Sequence, residues 1–320
     1  MENGSTSRED LELLGLEEME GLRYFYCPLL SVIYLYILIL SIVIVFVVLT
    51  NPSLHEPMYI LICNLVLNGI FGSSSFFPKL LADLWTSSKT ISRDGCLTQS
   101  LFITVYAYLE IMTFAVMAYD RYLAVCHPLQ YAILMTNARV IKFLINCSLV
   151  FFMLLLVSTL LTMRLPLCGT QIKNVFCDNM SIFILACTDT SINNIYGTII
   201  TIVIICSMLL IIIFSYVRIY IVCLRLSKES RHKALHTLGT HLINFSIFLL
   251  GFVFMFMRHR LSTNNLSIST HVGLSVPSLV IPPFMNPLVF GVRTKALKSK
   301  IVLPFKKVDA LIKLLHPMKK

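Results

Sequence analysis

The feature that most constrains this chain is a series of long segments without a single charged side chain. They run from Tyr24 to His55, Pro57 to Pro78, Phe143 to Met163, Thr190 to Val217, Ala234 to Met257 and Leu261 to Val292. A further stretch, Gly95 to Tyr119, is interrupted only by Glu110. Crossing the apolar core of a bilayer as a helix takes about 20 such residues. Backbone amides in lipid have only one another as partners, so each segment predicts a spanning α-helix. The fold class that follows is an all-α membrane protein, a seven-transmembrane helix bundle. Composition agrees: 57% of the 320 residues are hydrophobic and 13% charged, with a mean hydropathy of +0.82. An ordinary soluble domain carries about 25% charged residues, so that class is excluded.

An odd number of spans puts the two ends of the chain on opposite sides of the membrane. Cytoplasmic segments collect Lys and Arg. With the C-terminus inside, 17 of the 26 basic residues lie on the cytoplasmic side and 9 outside. The chain then divides into an extracellular tail over residues 1–23, the bundle over 24–292 and a cytoplasmic tail over 293–320. In the last of these, Val292, Ala296, Leu297 and Ile301 fall at helical spacing among lysines, which predicts a short amphipathic cytoplasmic helix on the inner leaflet. The net charge of +10 is assigned to loops facing anionic membrane lipid and a protein partner, not to nucleic acid. The acidic start lacks a basic head and apolar run, so the first helix is expected to act as an uncleaved signal anchor. Asn3 opens a glycosylation sequon in the outer tail.

Four cysteines, Cys96, Cys168, Cys177 and Cys187, fall at the outer mouth of the third span or in the long loop before the fifth. An oxidising exterior favours two bridges, and spacing alone leaves three pairings open. No His is interleaved at zinc-ligand spacing, and no cofactor is called for. At the inner end of the third span stands Asp120-Arg121-Tyr122. The pair reads either as a breakable latch or as an arginine reaching the headgroups; both remain open on the local pattern.

Met117-Ala118-Tyr119-Asp120-Arg121-Tyr122, followed by Ala124-Val125-Cys126-His127-Pro128-Leu129, resembles the signature of the odorant receptors, a family of rhodopsin-like G-protein-coupled receptors. Further pieces fall in the family's order: Leu54-His55-Glu56-Pro57-Met58-Tyr59, Ser215-Tyr216, Lys233-Ala234 with His241-Leu242, and Pro283-Phe284-Met285-Asn286-Pro287. Asn64-Leu65 with Asn68-Gly69 is most similar to the fish branch. The resemblance implies bridges Cys96–Cys177 and Cys168–Cys187. It also implies a coupling switch of Asp120, Arg121, Tyr122, Tyr216, His241, Asn286 and Pro287. The partners it implies are a small odorant and a heterotrimeric G protein of the olfactory, stimulatory type. Arg218, Arg225, Lys228, Arg231 and Lys233 would border the G-protein cleft.

Ser100, Ile103, Thr104, Ala107 and Tyr108 share one helical face. The family places its odorant cavity against Ile103, Thr104, Ala107 and Tyr108, with Phe252, Val253 and Phe256 from the sixth helix and Val276 and Leu279 from the seventh. No acid lies on that third-helix face, so an amine-anchoring salt bridge is not expected. Glu110, an acid deep in a span, faces the interior as part of a polar core with Asn68, in either a sodium-linked or a hydrogen-bonded role. Ser41, Asn68-Gly69, Leu249 and Phe290 depart from the family's usual residues, and the internal polar network is altered accordingly. Rival functions are a receptor for a lipid or peptide, and a transporter, which would show repeats and paired broken helices. Enzyme activity is not expected: His232 and His236 have metal-ligand spacing but lie at the inner edge among basic residues, where a solvated role is expected.

Overall fold

Two opposite faces of the first long helix set the logic of the whole structure. In a computed structural model, α2 (Arg23–Thr50) exposes Val32, Leu35, Ile39, Ile42, Phe46 and Leu49 and buries Ile37, Ser41, Ile44 and Val48. Both stripes repeat every three or four residues, so one face meets lipid and the other the bundle. The structure describes residues 10–225, 239, 242–253, 255, 267–294 and 296–300. Among them, six helices are long and apolar enough to cross a membrane: α2, α3 (Pro57–Thr86), α4 (Arg93–Cys126), α6 (Asn137–Met163), α8 (Ser191–Leu224) and α10 (Ile268–Arg293). The seventh, α9, is described over the shorter apolar stretch Leu242–Val253. Together they give the seven helices that the sequence predicts.

Most of these helices outrun their charge-free segments, because backbone pairing continues into the interface once a charge is matched there. In α3 the helix passes Pro78 and runs to Thr86, with Lys79 Nζ donating to Asp83 Oδ1 one turn on. The most buried span is α4, which packs against α3, α6 and α8. Gly72 permits the closest of these approaches, since a Cβ there would lie 2.4 Å from the Tyr106 ring.

The described part of the segment read from sequence as an extracellular tail, residues 10–23, is folded. β1 (Asp10–Leu13) pairs antiparallel with β2 (Thr90–Ser92) and parallel with β3 (Gln171–Ile172). Alternation drives this: Asp10 is exposed, while Leu11 and Leu13 are buried against the end of the bundle. The following turn of helix, α1 (Gly15–Glu20), adds Leu16 and Met19 to a cluster with Phe76, Phe77, Leu80 and Phe176. Gly15 sits so close to the loop that an added Cβ would lie 2.6 Å from the Asn174 backbone. Lys89 bridges Glu17 and Glu20, and this contact holds Glu20 below and Lys89 above their ordinary ranges. Both disulfides lie at this end, Cys96–Cys177 and Cys168–Cys187. Together they tie the α6–α8 loop across the bundle and fix a lid.

At the other end a short helix, α5 (Pro128–Leu134), joins α4 to α6. Residues 296–300 are helical, and Leu297 is buried among the core residues there; the rest of the expected amphipathic helix lies outside the described residues.

Candidate functional site

Beneath the lid is a cavity of about 170 Å³. α4 contributes Ile103, Thr104, Ala107 and Tyr108, one turn apart on the same face. The lid contributes Asp178, Asn179, Met180 and Phe183, the last three from α7 (Asn179–Ile184). α8 adds Asn193, Asn194, Gly197, Thr198 and Thr201, and Phe252 and Met255 close the far side. Most polar groups in the wall are already used. Tyr108 Oη and Thr201 Oγ1 lie 2.6 Å apart, Ser100 Oγ donates to Asn179 Oδ1 at 2.9 Å, and Asp178 caps α7 through the Ser181 N–H. Asn193 differs: it is 3% exposed and its buried Nδ2 has no partner. A donor without an acceptor is costly in an apolar wall, so an acceptor brought by a guest is favoured there.

One turn below Tyr106 on the same helix lies Glu110, fully buried. Asn68 Nδ2 donates to its Oε2 at 2.8 Å and Asn286 Nδ2 to its Oε1 at 2.5 Å. Asn68 also reaches the Tyr106 carbonyl at 3.0 Å. A single side chain thus ties α3, α4 and α10 together. Each carboxylate oxygen thus accepts one amide N–H, and the buried Asn68 Oδ1 has no hydrogen-bond partner. The arrangement is a carboxyl hydrogen-bonded by two amides.

At the opposite end Asp120 is buried and its two oxygens have different partners. Tyr131 of α5 donates to Oδ1 at 2.9 Å, and Arg121 Nη2 approaches Oδ2 at 3.1 Å. Burial, then the adjacent Asp120 charge, pushes the Tyr131 phenol well above its ordinary value. Tyr122 Oη lies 3.0 Å from His127 Nε2 at the start of the same loop. Asn137 Nδ2 donates to the His55 carbonyl, so this loop is anchored across the bundle to the α2–α3 turn. Arg121 is a quarter exposed, held by one carboxylate and open to a partner on its other side.

The cavity wall and the Asp-Arg pair thus lie at the two ends of one helix, and sequence comparison gives the family. The family model described as olfactory receptor matches residues 30–307. Human olfactory receptor 51E1 is 35% identical over 294 residues, covering 92% of each chain. The chain belongs to the olfactory receptor family. Human olfactory receptor 6N1 is 34% identical over 314 residues, 97% of this chain and all of the relative, and mouse olfactory receptor 51E2 is 33% identical over 301.

In this olfactory receptor the residues expected around a ligand separate into two groups. Ile103, Thr104, Ala107, Tyr108 and Phe252 line the cavity. Val253, Val276 and Leu279 do not. Val253 is one residue further round the helix and 42% exposed on the outer face, while Val276 and Leu279 pack into the apolar cluster under the lid. The α8 wall and the lid residues were missed; the Asn-Asn-x-x-Gly-Thr run from Asn193 was the available signal, a polar patch at the end of an apolar span. Among the residues expected in the switch, Tyr216 is half-buried in the core of the Asp120 end, and Asn286 donates to Glu110. Pro287 is buried within α10, Ser41 is buried with no partner for its hydroxyl, Leu249 packs against the core, and Phe290 is fully buried. Asn3, Lys228, Arg231, Lys233, His241 and Phe256 lie outside the described residues.

Proposed function

We propose that a small odorant bound in the cavity beneath the lid shifts this receptor between two states, and that a stimulatory G protein reads the shift at the Asp120 end. The carrying observation is that one helix, α4, holds Tyr108 in the cavity wall, Glu110 in the polar core and Asp120-Arg121 at the far end. Tyr108 to Asp120 is about 18 Å along a rigid helix, so displacement at one site is felt at the other. The ligand is a compact, largely apolar molecule carrying a hydrogen-bond acceptor for Asn193. The small volume, about 170 Å³ beneath a lid tied by two disulfides, weighs against a peptide.

The lid faces the exterior and the C-terminus the cytoplasm. Disulfides form on the oxidising side, and the basic residues gather at the other end. In the resting state Tyr131 and Arg121 both hold Asp120. Activation frees Arg121 for the G protein, whose other contacts include Leu129, 92% exposed on α5, and the exposed Arg218 and Arg225 of α8. No covalent chemistry is involved. The test is expression with a stimulatory G protein, a screen of odorant mixtures for cAMP, and repetition with Arg121→Ala. The response is expected to disappear while surface expression persists; an unchanged response in that variant would overturn the switch.

A further inference from the structure

A second hollow, of about 400 Å³, lies far from the odorant cavity, on the flank of the bundle between α4, α6 and α8 in the Asp120 half. Val116, Tyr119, Phe143 and Met208 are among the residues that line it. Phe143 is 49% and Tyr119 40% exposed, so the hollow opens toward the acyl chains. Among the described residues Arg139 is the charged one in its lining, and no acid lines it. One of Arg139's nitrogens, Nη1, donates to the Ile133 carbonyl at 2.7 Å, which holds the guanidinium at the mouth. Lys142, exposed one turn further along α6, adds a second positive charge on the same side.

An apolar trough with a purely cationic rim at the membrane edge has the form of an amphiphile site. We propose that it binds an anionic phospholipid, one acyl chain lying in the trough and the headgroup on Arg139 and Lys142. The orientation proposed above puts it in the cytoplasmic leaflet, where such lipids concentrate. Leu134 and Met135, which also line the trough, follow Tyr131 by about one helical turn on the same loop. Occupancy therefore buttresses α5 and with it the Tyr131–Asp120 hydrogen bond.

Trp85, the single tryptophan, lies at the lid end of α3 and is 81% exposed, so a reporter can be moved cleanly. The receptor with Trp85→Phe and Phe143→Trp is placed in nanodiscs of phosphatidylcholine containing either brominated phosphatidylserine or, at equal mole fraction, brominated phosphatidylcholine. Bromine quenches the introduced indole on contact. The serine lipid is expected to quench with about fivefold preference, in keeping with attraction to a basic residue at the surface. Arg139→Gln with Lys142→Gln should abolish the preference, whereas Arg139→Lys, which keeps the charge, should retain it. Equal quenching by the two lipids in the reporter itself would overturn the proposal. So would a preference that survives neutralisation in a variant with an unchanged thermal unfolding midpoint. Both leaflets of a nanodisc carry the same lipid, so the outcome is independent of which way the receptor faces.

Discussion

Tyr131→Phe isolates one bond of the switch. The ring and its packing remain, and only the hydroxyl that donates to Asp120 at 2.9 Å is lost. A hydrogen bond to a charged group is worth about 1.5–3 kcal/mol. Tyr131 is only half-buried, so water recovers part of this and the lower figure applies, about 1.5 kcal/mol. If the bond exists only in the resting state, its loss raises the active-to-resting ratio about tenfold. While the active form is a minority, basal signalling rises by the same factor. The assay is cAMP accumulation without ligand, normalised to receptor at the cell surface. Basal output at the parental level, with normal surface expression, would show that Tyr131 holds Asp120 equally in both states. The latch would then have to be sought elsewhere.

Three further outcomes follow from the same contacts. Glu110→Leu leaves the Asn286 amide without its acceptor, whereas Asn68 keeps the Tyr106 carbonyl; a loss of about 1–3 kcal/mol is expected as a lower thermal unfolding midpoint, and an unchanged midpoint would refute the tie. Cys168→Ser with Cys187→Ser opens a loop of sequence separation 19 and is expected to cost about 3 kcal/mol in the same measurement, with weakened ligand response. The strap formed by β1 and α1 is expected to loosen in acid. Glu20 is held below its ordinary range by Lys89, so its contribution is complete above the unfolded carboxylate value near 4.5 and disappears as pH falls through the lowered one. A dye on Asp10→Cys should report this loosening, and Lys89→Ala should remove the pH dependence.

How much of this was legible in sequence depended on how local the physics is. The spans were legible because lipid penalises each exposed charge and amide separately, so a run of apolar residues is sufficient warning. Helix ends were read short where a charge is matched within one turn, as Lys79 is by Asp83. The strap was missed because Asp10-Leu11-Glu12-Leu13 is a brief alternation whose partners, Thr90–Ser92 and Gln171–Ile172, are far away in the chain. Both disulfides came from family resemblance, since four cysteines at one end leave the pairing open. Spacing put the α4 residues on one face and family resemblance turned that face to the cavity, but Val253 beside Phe252 shows that one residue of helix rotation decides between cavity and lipid. Tyr131 carries no sign of its role until the loop folds back under Asp120.

The account rests on the cavity beneath the lid being where the odorant acts. Gly197 lines that cavity, and a Cβ added there meets nothing within 4 Å, so Gly197→Leu fills the space without disturbing the wall. The decisive measurement is the dose–response for an odorant that activates the parent receptor, repeated in this variant at matched surface expression. A loss of potency of about tenfold or more is expected, the equivalent of about 1.4 kcal/mol of displaced ligand contact. An identical dose–response curve would place the ligand elsewhere and contradict the account.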